Sequence, residues 1–388
     1  MTNQWLCTLP WTAISNDPDG KVRPCCIYKD VIKDSNGKDL YLQTTNLKDI
    51  FHSDYMKNLR EEFLAGNKPA GCSVCIKDEE NGYKSKRMIY QRTIDYSQTP
   101  EYPEEQQLII SNACNLKCRS CTPSHSNTWQ AEMKVIFNDT GYSMPHRQVS
   151  DNSSIFWQTR KDWMGKIKNL EVVGGEPFYI SKWKTLWKEM IEFGYSKNIT
   201  INFTTNTTIT NFELLEQLVD NFAHIGISLS IDGTDKVYEY LRHPGKWNIV
   251  LENIKQYHLF ALKHKSKVNI TICHTIGWLN AFYLTDFHKF VYQNFPAFKI
   301  WNNIIHFPDH MALASMPIEL KTAVINKIEQ FNFNARYETD VQAIVNCIKG
   351  GNAQTLDKLL PTFEIHDKHR NENIKESFQE VFQFFHSV

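Results

Sequence analysis

Between about residue 105 and residue 305 the apolar positions switch period repeatedly. Short runs with alternating or continuous apolar character predict strands at Gln107–Ser111, Asn169–Val173, Ile199–Thr204, His224–Ile231, Lys267–His274 and Lys299–Ile305. Between them, apolar residues recur with a helical period, which predicts helices over Ser124–Phe137, Lys182–Phe193, Asn211–Asn221, Trp247–Lys263 and Ala281–Phe295. Strands interleaved with helices imply right-handed βαβ units and a parallel sheet, so the fold class is α/β. The first 98 residues have a different texture. They are rich in turns, with hairpin signals at Asp17-Pro18-Asp19-Gly20 and Ser35-Asn36-Gly37, and with one helical pattern from Leu47 to Phe63. Two nearby prolines, Pro100 and Pro103, hold Ser97–Pro103 extended as a linker. From about Met316 the chain is helical, ending in a long apolar-periodic segment, Ile374–Phe385. The expected division is therefore 1–98, 104–312 and 313–388.

Charge narrows the classes of partner. Lysine plus arginine number 43 and aspartate plus glutamate 43, so there is no basic surplus of the kind a nucleic-acid binder carries. The locally basic run Lys255–Lys267 reads as a solvated helix face. No apolar window reaches the roughly 18 residues that a membrane-spanning helix needs, and the N-terminus lacks a charged stretch followed by an apolar one. A cytoplasmic protein with no membrane partner is expected.

The ten cysteines are placed unevenly. Cys7, Cys25, Cys26, Cys72, Cys75, Cys114, Cys118 and Cys121 precede residue 122, and only Cys273 and Cys347 follow. Close C-x-x-C pairs in a chain of this length fit reduced thiols used for metal binding better than a secreted disulfide scaffold. Cys273 sits in an apolar strand pattern and reads as core. His274, His306 and His310 fall near strand ends, where a substrate would sit, but each taken alone reads first as a structural histidine. Asp367 and Arg370 are candidates for tying the C-terminal tail to the barrel, with an ordinary surface pair as the alternative.

Cys114-x3-Cys118-x2-Cys121 lies in a loop just past the first predicted strand of the α/β region, at the end where such folds place chemistry. Three thiolates can hold three irons of a [4Fe–4S] cube and leave the fourth open, whereas four would close it. A zinc site with His125 as fourth ligand is the competing reading. Gly174-Gly175-Glu176-Pro177 follows the next strand directly, and two glycines there would let a ligand approach the backbone.

With these two motifs the chain resembles the radical SAM superfamily over about two-thirds of its length. The resemblance implies a partial (βα)6 barrel, a [4Fe–4S] cluster on Cys114, Cys118 and Cys121, and S-adenosylmethionine (SAM) chelating its open iron. It implies that Gly174, Gly175 and Glu176 meet the methionyl amino group, and that Thr204, Thr205 and Asn206 meet the ribose. Ser228, Ser230 and Asp232 would face the same pocket, and Arg242 would pair with the SAM carboxylate. Ser120 departs from the pattern, since an aromatic residue often precedes the third cysteine, so the adenine contact must come from elsewhere, for instance near Ile276 or Phe307.

The N-terminal spacing Cys7-x12-Gly20-x4-Cys25, followed by Cys72-x2-Cys75, is similar to the SPASM/twitch auxiliary-cluster modules of that superfamily, which usually follow the barrel rather than precede it. Cys7, Cys25, Cys72 and Cys75 would then fully ligate an auxiliary [4Fe–4S] cluster, with Cys26 as a spare thiol or a substitute for Cys25. A four-cysteine zinc ribbon is the competing reading. The implied activity is reductive cleavage of SAM and hydrogen abstraction from a substrate, with an electron donor such as a flavodoxin or ferredoxin. A peptide or amino-acid-derived substrate is the first expectation. A small molecule or nucleotide sugar is the second, and a non-catalytic iron–sulfur or zinc-binding interaction protein is the alternative from another class.

Overall fold

The computed structural model describes residues 5–80, 84–137, 148–334 and 338–385. Eight strands run through it: β1 (Ala13–Asn16), β2 (Val22–Arg23), β3 (Glu105–Leu108), β4 (Asn169–Val172), β5 (Thr200–Thr205), β6 (His224–Ser230), β7 (Val268–Ile276) and β8 (Lys299–Ile304). They follow one another in a single sheet in the order β2-β1-β3-β4-β5-β6-β7-β8. β3–β8 are the six strands that the hydrophobic pattern predicts, alternating with helices such as Ser181–Glu192, Phe212–Asn221, Trp247–Lys263 and Leu284–Asn294. The α/β class holds. Parallel register runs from Ala13↔Glu105 through Glu105↔Asn169 to Asn169↔Thr200, and again at Thr271↔Lys299.

Two differences have local causes. β3 starts and ends earlier than its apolar run because the Asn16 side chain takes over the ladder at Ile109. Its Nδ2 donates to the Ile109 carbonyl at 2.9 Å and its Oδ1 accepts from the Ile109 amide at 3.0 Å. The pattern Leu47–Phe63 is two helices, Leu47–Phe51 and Asp54–Leu64, because Ser53 caps the second by accepting from the Met56 amide. The tail Ile374–Phe385 is likewise broken into Ile374–Ser377, Gln379–Phe382 and a 3₁₀ turn, with Phe378 non-helical and fully buried between them.

The chain forms two compact units. The first takes residues 1–113, 142–203 and 212–225. In it, β1 and β2 are an antiparallel hairpin closed by the Gly20 amide bonding to the Asp17 carbonyl at 2.8 Å, the turn that the Asp-Pro-Asp-Gly signal predicts. Its interior is aromatic, with Trp11, Phe51, Trp163, Trp183 and Trp187 buried. The second unit takes residues 114–141, 204–211 and 226–388. Its core gathers Trp278 from just after β7, Leu284 from the helix Leu284–Asn294, and Leu313, Val324, Ile344 and Phe378 from the C-terminal helices and turns. No helix among the described residues is long and apolar enough to cross a membrane.

Candidate functional site

In the second unit the loop Cys114–Cys121 is held by its own neighbours. Ser126 and Thr128 hydroxyls donate to the Leu116 carbonyl at 2.7 and 3.0 Å, and the Trp129 indole donates to the Cys118 carbonyl at 2.8 Å. The amides of Lys117 and Arg119 donate to the carbonyls of His243 and Leu241 at 2.7 and 2.8 Å. The three thiols share one environment. Burial, with help from the nearby Cys114, pushes Cys121 up to about 12. Cys118 is also pushed up by burial, drawn back by Arg242 and raised again by Cys121 and Cys114. Buried thiols of this kind are poor thiolates on their own, and a cluster of irons supplies the positive charge that would ionise them. His125 Nδ1 lies 2.8 Å from the Thr122 hydroxyl and 3.3 Å from that of Ser124.

Asp232 and Arg242 come together beside this loop. Arg242 Nε is 2.8 Å from Asp232 Oδ2, both side chains are buried, and Arg242 Nη1 is 4.0 Å from Cys118 Sγ. The other carboxylate oxygen of Asp232 accepts from the Thr275 amide at 2.9 Å. Asn206 also reaches the loop, donating to Asn115 Oδ1 at 2.8 Å and standing 3.8 Å from Cys114 Sγ. Thr204 lies on the half-exposed face of β5, whereas Thr205 is buried and its hydroxyl accepts from the Thr207 amide at 3.1 Å. Ser228 and Ser230 share one face of β6, by the two-residue alternation of a strand.

Sequence reasoning missed Thr207, a β-branched residue at φ +67° next to Asn206. That is a left-handed conformation such residues rarely adopt, and strain of this sort gathers at functional sites. The pattern around β7 places Cys273 in the core, and the structure does not. Cys273 is half-buried, on the face of Thr271 and Thr275, and Asp232 and Arg242 act on it. His274 is on the fully buried face, packed 4.3 Å from the Phe287 ring. Ile276 is inside the apolar core, while Phe307 is exposed.

In the first unit the Gly-Gly-Glu-Pro turn presses on the residue just before Cys114. A Cβ on Gly175 would come within 2.4 Å of the Ala113 carbonyl oxygen, and one on Gly174 within 2.5 Å of Ile109 Cγ2, with φ of +57° and +77°. The glycines are therefore required by the chain's own packing, a reason the sequence did not disclose. The Glu176 amide donates to the Ala113 carbonyl at 2.9 Å, and its buried carboxylate accepts from the Phe178 amide at 3.2 Å.

The N-terminal thiols of the same unit converge. Burial raises Cys7 to about 12 and Cys25 to about 11; Cys25 and Cys75 act on Cys7, and Cys25, Cys7 and Cys75 all act on Cys72. Cys26 is exposed, with Lys86 Nζ 3.0 Å from its sulfur. All ten cysteines are free. Among the described residues no group of three or more His, Cys, Asp or Glu is arranged to hold a single metal ion. The fit to clusters rests on the donor set, two groups of mutually interacting thiols that are buried or half-buried.

A family model for the radical SAM superfamily matches residues 108–277, and one for an iron–sulfur cluster-binding domain, SPASM, matches residues 7–76. No curated protein matches the chain. Among solved structures, native anSMEcpe with bound AdoMet is similar at 15% identity, over 66% of this chain and 65% of that one, with a TM-score of 0.35. SuiB from Streptococcus suis bound to S-adenosylmethionine is similar at 14% identity, over 77% of this chain and 66% of that one, with a TM-score of 0.36. The chain thus spans a little under two-thirds of the length of the anSMEcpe structure.

Proposed function

Because the chain belongs to the radical SAM superfamily and carries its iron–sulfur SPASM module ahead of the radical SAM domain, we propose that it is a radical SAM enzyme acting on a peptide or amino-acid-derived substrate. Its cofactors are [4Fe–4S] clusters and S-adenosylmethionine. In this reading Cys114, Cys118 and Cys121 hold the first cluster, and Cys7, Cys25, Cys72 and Cys75 hold the auxiliary one. Held by these residues, a [4Fe–4S] cluster would supply one-electron reductive cleavage of bound SAM to methionine, and with it the means of taking hydrogen from a substrate.

The observation that carries the reading is the trio of mutually interacting thiols, Cys114 buried and Cys118 and Cys121 half-buried, with Arg242 of the Asp232–Arg242 pair 4.0 Å from one of them. Arg242 has donors in excess of its bond to Asp232 and is suited to a second carboxylate, that of SAM. Thr204, Thr205, Asn206, Ser228 and Ser230 supply hydroxyl and amide groups for the nucleoside, with Thr205 and Asn206 already engaged within the chain. Gly174, Gly175 and Glu176 offer backbone carbonyls for the methionyl ammonium. The peptide preference is supported by the auxiliary module, which relatives of this kind carry for such substrates. An electron donor such as a flavodoxin or ferredoxin would reduce the clusters.

Anaerobic reconstitution with iron and sulfide, followed by SAM and dithionite, tests the activity. Formation of 5′-deoxyadenosine that disappears in Cys118→Ala is expected; bound zinc without iron, and no 5′-deoxyadenosine, would overturn it. For the substrate, short peptides encoded beside the gene should raise 5′-deoxyadenosine formation and pass deuterium into it from a labelled side chain or α-carbon. Stimulation by nucleotide sugars alone would favour the small-molecule reading.

A further inference from the structure

Six charged side chains converge on the cluster loop in the second unit, and the proposed function uses none of them. Arg119 lies between Cys118 and Cys121 and is almost fully buried. Its guanidinium bonds Asp367 at 2.5 Å and Glu372 at 2.7 Å, donates through Nε to the Tyr240 carbonyl at 3.1 Å, and stacks 3.7 Å over the Tyr240 ring. Asp367 also accepts from the Tyr240 hydroxyl at 2.8 Å and the Ile374 amide at 2.7 Å. Glu372 accepts from His243 Nδ1 at 2.6 Å, and His243 gives its carbonyl to Lys117 of the loop. A second ionic group does the same from the other side of Cys118. Lys117 pairs with Glu132, and Arg370 bonds Glu132 at 2.7 Å. Arg370 also lies 5.2 Å over Trp129, the residue whose indole holds the Cys118 carbonyl.

Lys117, Arg119 and Arg370 balance Glu132, Asp367 and Glu372, so the network carries no net charge. Buried ion pairs are weak contributors to stability, because desolvation cancels much of the attraction. Their geometric specificity is the stronger reason for such an arrangement. Both groups end on residues that flank Cys118, and both begin on one stretch, the helix Leu356–Arg370 and the turn after it.

We propose that this C-terminal stretch is a clamp that fixes the cluster loop, with Arg119 as its positioning residue and Asp367 and Glu372 as the groups that hold it. The inference rests on the assignment of Cys114, Cys118 and Cys121 to the first cluster. Without the clamp, the loop would have to order its three sulfurs around the cluster for itself, at an entropic cost on binding. Outer-shell partners of metal ligands typically change metal affinity by about 10- to 100-fold when removed.

The test uses the full chain with both clusters reconstituted, as wild type, Glu372→Gln and the Asp367→Asn/Glu372→Gln double variant. Iron loss to a chelator is followed alongside the EPR signal of the reduced protein with and without SAM. In the double variant the SAM-responsive cluster should lose iron about tenfold faster, and its SAM-induced spectral change should broaden. The auxiliary cluster should lose iron at the wild-type rate, which a general loss of stability would not allow. Wild-type rates and spectra, or equal acceleration at both clusters, overturn the clamp. If the double variant does not fold, Glu372→Gln decides by the same comparison. A wild-type chain with no SAM-responsive signal overturns the functional reading, and the clamp with it.

Discussion

At the scale of single residues, the choice between Cys25 and Cys26 comes from packing that spacing alone leaves open. Cys25 is half-buried and interacts with Cys7, Cys72 and Cys75, whereas Cys26 is exposed beside Lys86. Cys25→Ala should therefore remove about four irons per chain, the content of one cube, while Cys26→Ala keeps the full complement, as measured by iron and sulfide analysis. Loss in Cys26→Ala instead would reverse the assignment. Gly175 makes a second residue-level claim. Alanine there would meet the Ala113 carbonyl oxygen at 2.4 Å in a left-handed backbone. Thermal or urea unfolding of apo Gly175→Ala should show a loss of about 2 kcal/mol, in the range for strained backbone positions. Unchanged stability would mean that the turn can move away from Ala113.

At the scale of elements, the strands of the α/β region were legible because their apolar runs have few competing explanations. β6 repeats its buried positions at every second residue, and helix Trp247–Lys263 matches its predicted bounds. β1 was not legible: four residues, Ala13 to Asn16, with two polar ones at the end carry too little pattern, and only pairing with β3 makes them a strand. The break at Ser53 was written in a capping residue, but a continuous apolar period concealed it. In the site, the thiols of Cys114, Cys118 and Cys121 were legible as a group because they keep a local spacing, whereas Asp232 entered only through the family resemblance. Arg119, Asp367 and Glu372 were not read as a group because their meeting joins residues about 250 positions apart. Asn371 shows how local chemistry ends the clamp helix, since it sits exposed at φ +53° just after Arg370. Asn371→Ala should cost about 1 kcal/mol, the penalty for a Cβ in the left-handed region without a side-chain amide to offset it. Asn371→Gly should stay within a few tenths of wild type. Equal losses in both variants, by chemical denaturation, would point to a side-chain contact of Asn371 rather than its backbone.

At the scale of the whole molecule, buried titrating groups link stability to pH in two windows that overlap at their edges. His274 is lowered to about 3 by burial and then by His288, and His288 to about 4 by burial against a weaker opposing bond from Asn302. Burial lowers His366 as well. An unfolded histidine protonates near 6.5, so above that pH both states are neutral and these rings contribute nothing. As pH falls below about 6.5, the unfolded chain gains protons that the native one refuses, and stability drops until the folded values are reached. The carboxylates work in a lower window. Burial would raise Glu132 and Glu372, but bonds from His366, Arg370 and Lys117 to the first, and from His243 and Arg119 to the second, hold both below the usual range. Their contribution is present above the unfolded carboxyl value near 4.3 and is lost only as pH falls through the folded one. Between pH 6.5 and 4.5 the histidines therefore act without the carboxylates. Urea unfolding of the apo chain should show stability falling from pH 7 to pH 5, by on the order of 2 kcal/mol for each of His274 and His288. His274→Gln should make that fall shallower down to about pH 3, while His288 keeps its own share and the carboxylates' loss at lower pH stays in place. A wild-type profile already flat from pH 7 to 5 would mean that protons reach both rings in the native state, and that the core around Phe287 opens more readily than its packing indicates.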